Sequence, residues 1–117
     1  MTIKEFYNTI GGNYDDVLAR LMNDMLIKRL LGKYLDDTNC DNLVKNIENG
    51  DMKEAFMSVH TLKGLALNLG FVKLGEDSTT LTEYLRAGGA DVSKAEAFMK
   101  PIVEEHKRIV QLIKQLD

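Results

Sequence analysis

Residues 51–70, DMKEAFMSVHTLKGLALNLG, carry a helix from its first capping residue to its stop. Asp51 is followed three positions later by Glu54, an acceptor and carboxylate spacing that satisfies the orphan N–H groups of a first helical turn. Met52, Ala55, Val59, Leu62, Ala66 and Leu69 then recur every three or four residues, which places them on one face. Gly70 closes the run, since a glycine adopts the left-handed conformation that ends helices without steric cost. Two residues stand out. Gly64 lies in the interior, where glycine costs about 1 kcal/mol relative to alanine, and His60 lies one turn before it.

The same helix-start device recurs outward from this segment. TIKE (Thr2, Glu5) and SKAE (Ser93, Glu96) fit it well, and NYDD (Asn13, Asp16) and TNCD (Thr38, Asp41) are looser versions with Asp in the acidic position. Breaks fall at Gly11-Gly12, Asp36-Asp37, Asn49-Gly50, Gly70 and Gly88-Gly89. Between them the apolar residues keep helical spacing. A broad stripe runs through Tyr14, Val17, Leu18, Leu21, Met22, Met25 and Leu26 and continues to Leu30, Leu31 and Tyr34. Shorter ones comprise Leu43, Val44 and Ile47, then Leu74, Leu81, Tyr84 and Leu85, and finally Ile102, Ile109, Leu112, Ile113 and Leu116. Pro101 is expected to kink or restart the last helix. No alternating strand pattern competes. The expectation is an all-α chain, residues 1–117 forming one antiparallel four-helix bundle with additional short helices on the N-terminal side.

Composition narrows the function classes. At 117 residues, 44% apolar and 28% charged, the chain suits one ordinary globular domain. A net charge of −3 with no basic cluster gives no electrostatic footprint for nucleic acid. One cysteine, Cys40, cannot close an internal disulfide, so a reducing, cytoplasmic setting is expected. With that Cys and two separated histidines there is no zinc-ligand spacing, and no metal is expected. MTIKEFYNTIGG lacks the apolar run of a secretory leader. Nothing approaches the ~18 apolar residues of a membrane span. If Met1 is the native start, a free-standing small protein is expected.

His60 is the candidate reactive group. At about 100° per residue it projects roughly 160° from the core direction set by Leu62 and Leu69. Lys63 and Gly64 are its i+3 and i+4 surface neighbours, Phe56 precedes it by a turn and Leu67 returns to nearly its angle. A lone exposed histidine is usually an ordinary surface residue, and a helical glycine can simply allow close packing. Here Gly64 lies on the solvent side, where packing does not require it, beside apolar side chains that favour cover. Uncovered backbone beside a reactive side chain suits docking by another protein. A neutral imidazole is a competent nucleophile near pH 7, because a histidine ordinarily titrates at ~6.5. An ammonium one turn away can neutralise a phosphoryl group carried on it.

HTLKGLALNLG resembles the His-x-x-Lys-Gly signature of histidine-containing phosphotransfer (HPt) domains, including the Leu-Gly that closes the helix. The similarity extends over the DMKEAFMSV lead-in and the following LTEYLRAGG, from Asp51 to Gly89. The resemblance implies that His60 accepts a phosphoryl group from an aspartyl phosphate on a response-regulator receiver domain and passes it to another receiver. It implies a phosphocarrier without an ATP site or catalysis of its own, the receiver bringing the acidic pocket and Mg²⁺. Lys63 would hold the phosphoryl oxygens, Gly64 would admit the receiver's loops, and Arg86 would stand near the phosphohistidine. The implied partners are receiver domains, a hybrid histidine kinase, or both; no cofactor is implied, and a monomer is expected. Two positions depart from the family. Leu65 replaces a small residue, and Thr82 stands where relatives often carry Glu or Gln that hydrogen-bonds toward the histidine.

Other candidates are weaker. His106, in EEHKR, reads as a solvated surface residue. Asp15-Asp16 and Asp36-Asp37 read as caps and dipole partners rather than acid–base pairs. Cys40 at a helix start could have a lowered pKa, but no base accompanies it, and a bystander thiol is expected. Met22, Met25, Met52 and Met57 read as core or groove filler, with Met57 able to flank the docking patch. Two rival readings differ in class. One is a pseudo-HPt module that binds receivers without carrying phosphate; the other is the phosphoacceptor part of a histidine kinase, which needs an ATP-binding domain that 117 residues cannot hold. The cognate kinase, the receivers and the direction of phosphate flow are not written in the chain.

Overall fold

The computed structural model describes residues 1–117 and contains seven helices and no strand: α1 (Ile3–Ile10), α2 (Tyr14–Leu21), α3 (Asp24–Tyr34), α4 (Asn39–Glu48), α5 (Met52–Leu69), α6 (Val72–Arg86) and α7 (Val92–Ile113). The all-α expectation is met. Side-chain caps start most of these helices. Thr2 and Glu5 form a reciprocal capping box, while Asn13, Asn23 and Asp51 each accept a hydrogen bond from the N–H three residues on.

Two expected caps are different. Ser93 lies inside α7, whose first turn is capped by Asp91 accepting from the Lys94 N–H. Thr38 makes no cap bond; Asp37 accepts from the Asn39 N–H instead, and the Thr38 hydroxyl accepts from the Asn42 amide. The carboxylate, a stronger acceptor than a hydroxyl, takes the orphan donor in each case. The stripe from Tyr14 to Tyr34 is also broken. Met22 takes a left-handed φ of 74° and Asn23 restarts the chain by capping Leu26, so α2 and α3 are separate helices. That turn leaves Met22 and Met25 82% and 76% exposed rather than packed as filler. Pro101 sits within an unbroken α7.

Helices α4, α5, α6 and α7 pack in a closed circuit, each against the next and α7 back against α4. Their inward faces supply most of the core, with Leu43, Ile47, Val59, Leu62, Leu74, Leu81, Ile102 and Ile109 fully buried. Burying each such side chain stabilises the fold by about 1.5–3 kcal/mol. α5 and α6 run in opposite senses, since Phe56 meets Arg86 near one end of the pair while Leu67 lies against Gly75 near the other.

The N-terminal helices clamp the C-terminal end of α5. The buried Tyr7 hydroxyl donates to the Leu69 carbonyl at 2.7 Å, and the Arg20 guanidinium donates to the Leu67 carbonyl at 3.4 Å and to Asn68 Oδ1 at 3.3 Å. These carbonyls have no partner within their own helix. Gly70, with φ 73°, ends α5 as the Phe71 N–H turns back to the Ala66 carbonyl, and a Cβ at Gly70 would run into Val17. α5 is therefore anchored beyond its last turn, and its middle, which carries His60, is held in register against α6.

Candidate functional site

α5 presents His60 to solvent in mid-helix while Val59 and Leu62 beside it are fully buried. The 3.6-residue period does this: core anchors on either side leave position 60 no inward direction. Phe56, one turn earlier and half-buried, lies parallel to the imidazole, with ring centroids 5.6 Å apart and an interplanar angle of 8°. Arg86, from the last turn of α6, places its guanidinium carbon 5.6 Å from the centre of the Phe56 ring and lies 3.7 Å from Glu83. Lys63 is half-buried, and its ammonium has no carboxylate partner in the chain.

Gly64 lies in open space. A Cβ built there meets no atom within 4 Å, so packing within the chain does not select glycine at this position. Leu67 is 55% exposed one turn further on, and Met57 is equally exposed on the other side of His60. Gly75 on α6 lets that helix lie close beneath Leu67, whose Cδ2 would stand 3.2 Å from an added Cβ. Between the start of α5 and the end of α6 a groove of about 520 Å³ is lined by Met52, Lys53, Phe56, Met57, Leu85 and Arg86 together with the Gly88–Ala90 turn. The expected residues His60, Lys63, Gly64, Phe56, Leu67 and Arg86 thus form one continuous face. Lys53, two turns before His60 on the same helix, and the end of α6 join it, the latter brought there by the antiparallel pairing.

Thr82 does not serve this site. It is fully buried, and its hydroxyl donates to the Ser78 carbonyl at 2.7 Å within its own helix. His106 is also not the solvated residue expected. It is half-buried, and its Nδ1 lies 2.7 Å from the Tyr34 hydroxyl. Burial holds its pKa below the usual histidine value, against Asp41 and Asp37, which favour the charged form. The clue was the period, because His106 lies three and four residues from the buried Ile109 and Ile102 of the same helix. Cys40 is buried at 2% exposure, and that burial pushes its thiol up to about 11, so it is unreactive. No group of three or more His, Cys, Asp or Glu side chains is placed to hold a metal ion. No helix is long and apolar enough to cross a membrane.

The comparisons with known proteins agree with this geometry. The family model described as "Hpt domain" matches residues 29–117, a span that includes His60, Lys63, Gly64 and all of α4–α7 and leaves α1 and α2 outside. No curated protein and no solved structure gave a match. A solvent-facing histidine with an unpaired lysine and a bare glycine on the next turn, within a family match over most of the chain, places this protein in the Hpt domain family.

Proposed function

We propose that this chain is the histidine phosphocarrier of a multistep phosphorelay, with His60 as the residue that takes and gives the phosphoryl group. The single observation that carries this reading is the face around His60. The imidazole is exposed, Lys63 one turn away has no anionic partner, and Gly64 leaves the backbone beside it uncovered. In the transfer, the lone pair of the neutral imidazole forms an N–P bond. The P–O bond to the receiver's aspartate breaks, and the carboxylate leaves with its electron pair. The ring becomes a phosphoimidazolium, and the step needs no net proton transfer. Lys63 offsets the charge of the phosphoryl oxygens, where a preorganised cation acts without reorganising. The reverse step returns the group to a second receiver.

In this reading the chain is not itself an enzyme. It works as one domain and as a monomer in the cytoplasm, with α4–α7 as an antiparallel four-helix bundle and α1–α3 as additional N-terminal helices. Its partners are receiver domains, alone or within a hybrid histidine kinase. The apolar face of Phe56, Met57 and Leu67 supports brief docking, since a relay requires release as much as capture.

Incubation with a panel of labelled phospho-receivers, beside the His60→Gln variant, tests the reading. Acid-labile, alkali-stable label is expected on the wild type and absent from H60Q. Receivers that bind without transferring label would make the chain a docking module instead.

A further inference from the structure

A nucleophile aimed at a phosphorus atom must be held in direction as well as place, since reacting groups displaced by about an ångström lose on the order of a hundredfold in rate. Histidine has two side-chain torsions, and the chain gives the His60 ring no hydrogen bond with which to fix them. The neighbouring hydroxyls are engaged elsewhere: Thr61 donates to the Met57 carbonyl at 3.0 Å and Thr82 to the Ser78 carbonyl at 2.7 Å. The ring's ordered neighbour is Phe56. The two planes are parallel within 8° at a centroid separation of 5.6 Å, inside the ~4.5–7 Å range of interacting aromatic pairs. Phe56 is itself held, half-buried at the α5–α6 groove, with the Arg86 guanidinium over its ring at 5.6 Å.

We propose that Phe56 is the positioning residue of the phosphoacceptor, setting the plane of the His60 imidazole by stacking, and that Arg86 locks Phe56 in that orientation from α6. This role rests on His60 being the phosphoacceptor. Stacking performs here what a hydrogen bond to a ring nitrogen would otherwise do, with one chemical difference. It holds the plane while leaving both nitrogens free, so the nitrogen that does not attack keeps its proton or gives it to solvent without breaking a structural bond. Arg86 acts on the site through Phe56, and its pairing with Glu83 on the same helix turn limits how far it can leave the ring.

The test compares Phe56→Leu, which keeps apolar bulk but removes the flat face, with Phe56→Tyr, which keeps the face. Single-turnover transfer from a labelled phospho-receiver is measured at saturating receiver, and the dissociation constant is measured separately. F56L is expected to slow saturated transfer about tenfold, a fraction of the loss that a full ångström of misplacement brings. F56Y is expected to restore the rate. The ring-current displacement of the His60 ring protons, read by NMR, should vanish in F56L and persist in F56Y. Arg86→Gln should slow saturated transfer about threefold, the value of a surface cation–π contact. A wild type that accepts label and an F56L protein that matches its saturated rate, losing only affinity, would overturn the positioning role and leave the phosphocarrier reading intact. A wild type that accepts no label from any donor overturns both.

Discussion

Gly64 separates the requirements of the fold from those of the site. Its backbone is helical rather than left-handed, and a Cβ there meets nothing within 4 Å, so the folded chain itself would accept alanine. Gly64→Ala is therefore expected to stabilise the free protein by about 1 kcal/mol, which raises the melting temperature by about 4 °C in a chain of this size. Under the proposed phosphocarrier role, the same methyl group intrudes where a receiver would approach His60, so transfer should slow about tenfold. Calorimetry and single-turnover transfer on the same preparation check the two halves. A melting point that does not rise contradicts the open space at Gly64, and unchanged transfer contradicts its role in close approach. His60, Lys63 and Gly64 were legible in the sequence because all three lie within one helical turn, where spacing alone fixes which side chains are neighbours. Thr82 was not. It is in register with His60 across the α5–α6 pair, but its rotation about the α6 axis turns it into the core.

At the scale of the helix, α5 depends on its C-terminal stop as much as on its apolar stripe. Gly70 combines a φ of 73° with a backbone so close to α2 that any side chain strikes Val17. Gly70→Ala must adopt a strained conformation and displace that helix, which should cost about 2–4 kcal/mol. Urea unfolding would show it as a lowered midpoint. A variant within 0.5 kcal/mol of wild type, the range of an ordinary surface change, would mean that the α2 clamp does not hold α5. The stop itself was readable from Asn-Leu-Gly. The clamp was not, because Tyr7 and Arg20 reach Leu69 and Leu67 across more than forty residues of chain. The single stripe that ran from Tyr14 to Tyr34 failed for a related reason: periodicity records which residues are apolar and is blind to one left-handed residue, Met22, that changes the helix direction.

For the molecule as a whole, the pH dependence of stability follows from His106. Burial beside Tyr34 lowers its folded pKa, so below the ordinary histidine value near 6.5 the unfolded chain binds more protons than the folded one. Its contribution is complete above about pH 6.5 and is lost as pH falls through that value toward the folded pKa. The melting temperature should fall between neutral pH and pH 5, before most carboxylates titrate, and His106→Gln should flatten that part of the curve. A wild-type curve with no slope in this window would show that His106 is not desolvated. The tie between α3 and α7 is also what removes the second histidine from the list of reactive surface groups and leaves His60 as the exposed imidazole.

Local order was thus encoded in short-range pattern. Helix identity, most caps, the inward faces and the His60–Lys63–Gly64 turn all follow from the 3.6-residue period and the chemistry of capping, which act over a few residues. What crosses between helices was settled only when they packed. That covers the placement of Arg86 over Phe56, the burial of Thr82 and His106, and the clamp on the end of α5. The physical reason is that periodicity assigns each residue an angle about its own axis, whereas a contact between helices also depends on their relative rotation and register. Those are set by the summed fit of the whole core rather than by any one segment.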